Sequence, residues 1–192
     1  MKAGPGRATN ALRVATFAAI RLDDAVRLSA VRAIDALTAS GAAVRVERPE
    51  KLHVTLAYLG RVDAAKNDEF AAALQAAAAR CEPFEIVFDT FGGFPNERRP
   101  RVLWLGSSRE PAGFSECAAR IRAGFEAAGA RFDNPAVAHI TLARAKKPLD
   151  GMPGIEAPPP CILAVREVVL FESIPAGPTT RYEERAVARL RS

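Results

Sequence analysis

The tetrapeptide His53-Val54-Thr55-Leu56 and its near-copy His139-Ile140-Thr141-Leu142 decide how this chain is built. They contain the only two histidines among the 192 residues, and they lie 86 positions apart (139 − 53 = 86). Threonine occupies 8 of the 192 positions, so both histidines would be followed by threonine two residues later by accident with a probability of roughly 0.002. The duplication predicts two similar halves, each carrying one motif.

Each tetrapeptide lies in an apolar run, 52–59 or 138–143, that is typical of a short buried strand. Side chains alternate between the two faces of a strand, so His53 and Thr55 share one face while their apolar neighbours face a core. The second motif repeats this arrangement. If the two strands meet, the sequence predicts a cleft with two imidazoles and two hydroxyls.

Two imidazoles across a cleft suit the cleavage of a phosphodiester by acid–base catalysis. One ring takes a proton from the nucleophile and the other gives a proton to the leaving oxygen. Histidine titrates near neutrality, so one neutral and one charged ring can coexist. Threonine hydroxyls can donate hydrogen bonds to the phosphate oxygens, and the scheme needs neither metal nor cofactor. A lone strand histidine is more often structural, but repetition with the same neighbours favours the catalytic interpretation.

Composition limits the class of protein. The hydrophobic fraction of 49% indicates a globular chain, and the net charge of +5 with a pI near 9.5 favours a polyanionic partner. Cys81, Cys117 and Cys161 form no CxxC pair, which favours reduced thiols in a cytoplasmic protein over disulfides or zinc. No run reaches 18 uninterrupted apolar residues, so no membrane span is expected.

Helical and strand patterns mix without regular βαβ alternation, which predicts an α+β fold with antiparallel sheets. Helices are predicted over 24–40, 63–80 and 111–128, and loops over 92–100 and 147–160. Besides the two motif strands, the patterns predict strands over 14–20, 43–46, 84–89, 101–105, 162–172 and 182–190.

The chain resembles members of the 2H phosphoesterase superfamily and, among them, the RNA 2′,3′-cyclic phosphodiesterases, historically called 2′-5′ RNA ligases. The resemblance covers nearly the whole length. The two His-x-Thr motifs mark the superfamily, whereas a segment from Phe94 to Trp104 points to this branch. The matching segments are Leu52-His53-Val54-Thr55-Leu56-Ala57-Tyr58-Leu59-Gly60, Phe94-Pro95-Asn96 with Arg98 and Arg99, Pro100-Arg101-Val102-Leu103-Trp104, His139-Ile140-Thr141-Leu142-Ala143-Arg144 and Leu170-Phe171-Glu172-Ser173.

The resemblance implies that residues 1–192 form a single bilobal, pseudo-twofold domain, with two antiparallel sheets lining a central cleft and helices outside. It implies metal-independent hydrolysis of RNA 2′,3′-cyclic phosphate ends to 2′-phosphomonoesters. His53 would be the proton donor to the 3′ oxygen, His139 the proton acceptor that activates water, and Thr55 and Thr141 the phosphate ligands. The residues themselves do not distinguish donor from acceptor, because the two motifs are nearly identical.

Two residues follow the motifs closely. The family resemblance suggests that Arg144 contacts the phosphate, but strict alternation places it on the face opposite His139. Arg144 reaches the site only if the strand ends or bulges there; otherwise it is a surface charge. The same alternation places Tyr58 on the face away from His53.

Other candidates for RNA contacts have structural alternatives. Arg98 and Arg99, with Arg101, Lys146 and Lys147, can form a basic rim along an RNA backbone or an ordinary solvated turn. Phe17 and Trp104 can stack on a nucleobase or pack in the core.

Three functions stay open from the sequence. The first is hydrolysis of RNA 2′,3′-cyclic phosphate ends, and the second is the same chemistry on a small nucleotide, either an ADP-ribose cyclic phosphate or a 2′-5′ oligonucleotide. The third is a non-catalytic module that binds nucleotides or RNA ends. The expected partner is RNA or a cyclic nucleotide rather than a membrane or metal, and a monomer is the default oligomeric state.

Overall fold

The computed structural model describes residues 13–177 and 179–191, which form three helices and ten strands. The helices are α1 (Asp24–Ala39), α2 (Asn67–Ala78) and α3 (Ala112–Ala127). The strands are β1 (Arg13–Arg21), β2 (Val44–Val46), β3 (His53–Asp63), β4 (Phe84–Phe88), β5 (Thr90–Phe94), β6 (Val102–Gly106), β7 (His139–Ala145), β8 (Cys161–Val165), β9 (Glu167–Ala176) and β10 (Thr179–Arg189).

All strand pairs in this part of the chain are antiparallel, and eight strands form one sheet in the order β10-β9-β1-β3-β7-β6-β5, with β2 on β7. The predicted α+β class with antiparallel sheets is confirmed. The resemblance implied two antiparallel sheets lining the cleft, and in the described residues the two halves meet edge to edge through the residue pair Val54 and Ile140. The second sheet is the separate pair β4-β8.

This junction fixes the position of both motifs. Val54 and Ile140 are each the residue after a motif histidine, and both are fully buried. Since their neighbours along each strand point to the opposite face, His53, Thr55, His139 and Thr141 all lie on the same side of the sheet. The junction therefore brings the two motifs together.

Helices cover the other face of the large sheet. α3 packs on β3 and on α2, while α1 packs against β7 and β8. The side chain of Asp23 caps α1 by accepting a hydrogen bond from the backbone N–H of Val26 at 2.8 Å. Gly41 and Gly129, at φ of +71° and +91°, follow the ends of α1 and α3, where a left-handed residue closes the helix.

A buried polar network supports the sheet beside the site. Asn67, at the start of α2, donates to the Glu172 carboxylate and accepts from the Thr16 hydroxyl, and Arg185 pairs with the same carboxylate. Glu172 is only 3% exposed, so its charge requires these partners. The network ties β1, β9, β10 and α2 together.

Two predicted elements differ in the structure. The predicted loop over 92–100 begins inside β5, because Gly92 pairs with Trp104 and leaves room for the indole ring above it. The predicted strand over 162–172 is divided at Arg166, since β8 pairs with β4 whereas β9 pairs with β1 and β10. Periodicity does not show that consecutive residues enter different sheets.

The single domain over 1–192 stays a prediction, and residues 1–12, 178 and 192 of that range lie outside the described residues. Within the described part, no helix is both long and apolar enough to cross a bilayer. The three cysteines are free thiols, and two of them, Cys81 and Cys117, are buried.

Candidate active site

The two motifs line one cavity of about 540 Å³ on the helix-free face of the large sheet. It receives both histidines and both threonines that the sequence singled out. The lining residues are Phe17, Glu47, Lys51, His53, Thr55, Tyr58, His139, Thr141, Arg144 and Tyr182. The histidine and threonine of each motif, from two distant parts of the chain, therefore converge in one cavity.

Both imidazoles are held in the same way. The Nδ1 atom of His53 lies 2.6 Å from the Lys51 carbonyl oxygen, and that of His139 lies 2.9 Å from the Val137 carbonyl oxygen. A carbonyl oxygen only accepts hydrogen bonds, so Nδ1 carries the hydrogen in each ring. The second nitrogen, Nε2, is therefore the atom left to accept or donate a proton.

Aromatic side chains pack against each imidazole. The His53 ring centroid lies 5.0 Å from that of Phe17 and 5.5 Å from that of Tyr182. The His139 ring lies 5.0 Å from Phe94 and 6.3 Å from Trp104. These contacts restrict the orientation of both rings, which supports their use at a fixed reaction geometry.

A repeated β-bulge places two further side chains in the cavity. The pairing of β1 with β3 skips Leu56, and the pairing of β6 with β7 skips Leu142. Each extra residue reverses the alternation of faces, so Tyr58 and Arg144 line the cavity together with the histidines. Our expectation that Tyr58 faces away from His53 is wrong. We expected Arg144 to reach the site only if its strand ends or bulges, and β7 does bulge before Arg144.

Arg144 is oriented by a carboxylate that the sequence analysis missed. Its Nε atom donates to Glu47 Oε1 at 3.2 Å, while 52% of the side chain stays exposed. The backbone N–H of Glu47 donates to the carbonyl oxygen of Leu142, which brings Glu47 to the end of the second motif. No motif pointed to Glu47, since its position depends on this contact across 95 residues (142 − 47 = 95).

Lys51 and Tyr182 were also missed. The Lys51 ammonium donates to the Thr180 hydroxyl at 2.8 Å and lies 5.2 Å from the centre of the Tyr182 ring. Tyr58 had a signal, because Leu-Ala follows the threonine in both motifs and aligns Tyr58 with Arg144. Lys51 and Tyr182 had no such signal, and Tyr182 lies on β10, which reaches the site only through its pairing with β9.

The electrostatic surroundings of the two rings differ. Burial lowers the pKa of His53 most, whereas its bond to the Lys51 carbonyl and the negative charge of Glu47 act to raise it. Burial also lowers the pKa of His139 most, and the positive charges of His53 and Arg144 lower it further, against the bond to the Val137 carbonyl. Arg144 acts to lower the pKa of both rings, whereas the negative charge of Glu47 acts on the pKa of His53 alone.

The remaining predicted contact residues are placed differently. Phe17 is only 4% exposed and packs between Phe171 and His53, which leaves little of its ring for a nucleobase. Trp104 is partly buried, with its ring over Gly92 and Gly106. Stacking of either ring on a base stays a prediction.

The predicted basic rim lies outside the cavity. Arg98 and Arg99 are exposed in the turn between β5 and β6, where their backbone N–H groups donate to the Asn96 side-chain oxygen. Arg101 donates to the Lys146 carbonyl oxygen at 3.3 Å. None of these cations is among the lining residues of the cavity, so the structure does not bring them to the imidazoles.

Metal ligands do not cluster in the described residues. No group of three histidine, cysteine, aspartate or glutamate side chains within 13–177 and 179–191 is arranged to hold a metal ion. The polar groups of the cavity are instead imidazoles, hydroxyls, one ammonium, one guanidinium and one carboxylate. This set suits the binding of an anion and the transfer of protons.

Comparison with known proteins identifies relatives of this chain. Residues 20–104 match the family model of LigT-like phosphoesterases. An RNA 2′,3′-cyclic phosphodiesterase of Methanothermobacter thermautotrophicus is 34% identical over 137 residues, which cover 71% of this chain and 74% of the relative. The Escherichia coli K12 protein of the same name is 36% identical over 137 residues, covering 69% and 72%.

Solved structures agree with the sequence relatives. E. coli LigT in complex with 3′-AMP has a TM-score of 0.76 at 27% identity, covering 94% of this chain and 100% of that one. TT0787 of Thermus thermophilus also has a TM-score of 0.76, at 28% identity, covering 92% and 98%. This chain therefore belongs to the LigT-like, RNA 2′,3′-cyclic phosphodiesterase family of the 2H phosphoesterases, a family of hydrolytic enzymes.

Proposed function

We propose that this enzyme hydrolyses the 2′,3′-cyclic phosphate at the end of an RNA strand to a 2′-phosphomonoester, without a metal ion. The observation that carries the proposal is the convergence of two identically anchored imidazoles and two threonines in one cavity. Relatives named RNA 2′,3′-cyclic phosphodiesterase support the substrate class, as does the 3′-AMP complex of E. coli LigT.

The reaction begins on the His139 side of the cavity. The neutral Nε2 atom of His139 takes a proton from a water molecule as its oxygen attacks phosphorus. The threonine hydroxyls of Thr55 and Thr141 donate hydrogen bonds to the non-bridging oxygens, where negative charge develops. The Arg144 guanidinium, aligned by Glu47, adds a positive charge near the same oxygens.

The reaction ends on the His53 side. The bond between phosphorus and the 3′ oxygen breaks, and the Nε2–H group of His53 gives its proton to that oxygen. The products are a 2′-phosphomonoester and a free 3′ hydroxyl. His53 leaves the step neutral and His139 protonated, and proton exchange with water restores the starting state.

The assignment of His53 as acid and His139 as base is the one that the family resemblance implies, and the negative charge of Glu47 near His53 supports it. Glu47 acts to raise the pKa of His53, whereas the charge of Arg144 acts to lower the pKa of both rings. The proposed reaction needs the singly protonated state of the pair in which His53 is charged and His139 is neutral.

The product made from a 2′,3′-cyclic nucleotide tests the proposal. We expect a 2′-phosphate, identified by phosphorus NMR, in the presence of EDTA as well as without it. A 3′-phosphate, or activity that is lost in EDTA and restored by added metal, would overturn it.

Parallel assays with an ADP-ribose cyclic phosphate and a 2′-5′ oligonucleotide distinguish the small-nucleotide alternatives, and binding without turnover would identify a non-catalytic module. A cytoplasmic location belongs to the same proposal and agrees with the three free thiols.

A further inference from the structure

A second groove, which we call the Arg48 groove, continues from the catalytic cavity on the His53 side. It has a volume of about 430 Å³ and shares Lys51 and Tyr182 with the catalytic cavity. Its lining residues are Arg21, Arg27, Arg48, Glu50, Lys51, Leu52, Phe171, Ala176, Thr179, Thr180, Arg181, Tyr182 and Glu184. A ligand that leaves the catalytic cavity past Lys51 and Tyr182 therefore enters the Arg48 groove.

The groove carries an excess of positive charge. Five of its lining residues are cationic and two are acidic. Arg27 is held by the carbonyl oxygens of Leu22 and Pro49, at 3.0 and 2.8 Å, and these neutral partners fix the guanidinium without cancelling its charge. The Lys51 ammonium is bonded to threonine hydroxyls in the same way. Fixed cations of this kind favour an anionic ligand.

Two further guanidiniums extend into solvent. The side chains of Arg48 and Arg181 are 58% and 66% exposed. Arg48 lies 4.0 Å from Glu50, a distance at which an exposed ion pair is weak, and Arg181 pairs with Glu183. Both side chains are long and mobile enough to follow a phosphodiester backbone.

The chemistry of the proposed substrate limits the direction in which it leaves. A 2′,3′-cyclic phosphate terminates a strand, so the rest of the RNA continues from the terminal ribose only toward the 5′ end. In-line attack places the water and the leaving 3′ oxygen on opposite sides of phosphorus. With His139 next to the water, the ribose lies on the His53 side, which is the side where the Arg48 groove begins.

We infer that the Arg48 groove binds the phosphodiester backbone of the RNA strand immediately 5′ of the cyclic end, so that the preferred substrate is an oligonucleotide and not a mononucleotide. The inference rests on the proposed function, because it uses the roles of His53 and His139. The basic turn with Arg98 and Arg99 belongs to the His139 half of the sheet and lines neither cavity.

The test compares two substrates, 2′,3′-cyclic AMP and a five-nucleotide RNA that ends in a 2′,3′-cyclic phosphate. At low salt we expect kcat/KM for the RNA to exceed that for cyclic AMP by about tenfold or more, and this ratio should fall as salt rises. The double variant Arg48→Gln/Arg181→Gln should bring the ratio close to one through loss of activity on the RNA alone. Its salt dependence should weaken by a logarithmic slope of about 0.7 for each lost phosphate contact.

The chain offers a matched control. Lys66 and Arg131 line a third basic cavity, of about 540 Å³, which has no lining residue in common with the catalytic cavity. Lys66→Gln/Arg131→Gln removes the same charge and should leave the substrate ratio unchanged. Equal kcat/KM for both substrates in the parent enzyme, or equal losses in the two double variants, would overturn the inference.

Binding separates this inference from the proposed function. Fluorescence anisotropy measures the affinity of the enzyme for a five-nucleotide RNA bearing a 2′-phosphate end, even if cyclic AMP is not hydrolysed. If Arg48→Gln/Arg181→Gln binds this RNA more weakly and with less salt dependence than Lys66→Gln/Arg131→Gln does, the result supports RNA binding in the Arg48 groove. Identical binding by the two variants refutes it, whatever the outcome of the hydrolysis assay.

Discussion

Tyr58 and Arg144 occupy equivalent positions in the two halves, five residues after His53 and His139 (58 − 53 = 5; 144 − 139 = 5), and both line the same cavity. The same bulge, one residue after the motif threonine, places each of them there. One half supplies a neutral phenol and the other a guanidinium. The cavity is thus symmetric in its imidazoles and hydroxyls but asymmetric in its charge.

Replacement of His53 or His139 by alanine should abolish cyclic-phosphate hydrolysis. Each ring transfers a proton, and the loss of one such group costs about 10²–10⁴-fold in kcat. Single-turnover assays with 2′,3′-cyclic AMP measure the loss, and far-UV circular dichroism checks that the fold is kept. Near-normal turnover by either variant would contradict the two-histidine mechanism.

Replacement of Arg144 by alanine should reduce kcat by about 10²–10³-fold, the range found when one stabilising donor is removed from an oxyanion site. Arg144→Lys should lose less, since the charge stays but the bond geometry to Glu47 changes. Inhibition by inorganic phosphate should weaken in parallel. Arg99→Ala is the control, because Arg99 is exposed in a turn outside the cavity; equal effects of the two alanine variants would argue against a phosphate contact.

The pH profile should reflect the lowered pKa of both rings. The dependence of kcat/KM on pH reports the free enzyme. The value of kcat/KM should rise as His139 loses a proton and fall as His53 loses one. Its maximum should lie below the ordinary histidine pKa of about 6.5, because the pKa of each ring is lowered. The bound phosphate anion raises both pKa values, so the kcat profile should lie at higher pH. A flat kcat/KM profile between roughly pH 5 and 8 would not fit acid–base catalysis by this pair.

The same profile tests the role of Glu47. Glu47→Gln removes the negative charge that raises the pKa of His53 and releases Arg144, whose charge lowers it. The alkaline limb should therefore move to lower pH. Glu97→Gln, at an exposed turn position, should leave both limbs in place. If the alkaline limb stays fixed in Glu47→Gln, His53 is not the acid.

Replacement of Gly92 by alanine should disturb the support of His139. A Cβ atom at position 92 would lie 2.3 Å from Trp104 Cζ2, so the indole ring that packs against His139 must move. We expect a loss of about 1–3 kcal/mol in the free energy of unfolding, with a lower kcat. Gly154→Ala is the control, since no atom outside its neighbours lies within 4 Å of its Cβ position. Thermal denaturation that gives the same Tm for both variants would contradict this account.

Features that depend on local backbone geometry could be predicted from the order of residues alone. The period-2 alternation in both motifs predicts the shared face of each histidine with its threonine, and capping and glycine signals predict the three helices to within a few residues. The α+β class followed from helical and strand patterns that mix without regular βαβ alternation, and the family from the two motifs and the segment from Phe94 to Trp104. These features need no knowledge of which strand lies beside which.

The rest of the cavity depends on how the strands pair in three dimensions. A bulge exists only relative to a partner strand, so no reading of 53–58 or 139–144 alone shows that alternation reverses before Tyr58 and Arg144. Glu47 and Tyr182 reach the imidazoles through pairing with distant strands, and Trp104 takes its place because Gly92 leaves space above the sheet. Contacts of this kind depend on sheet register, which a single chain pattern does not specify.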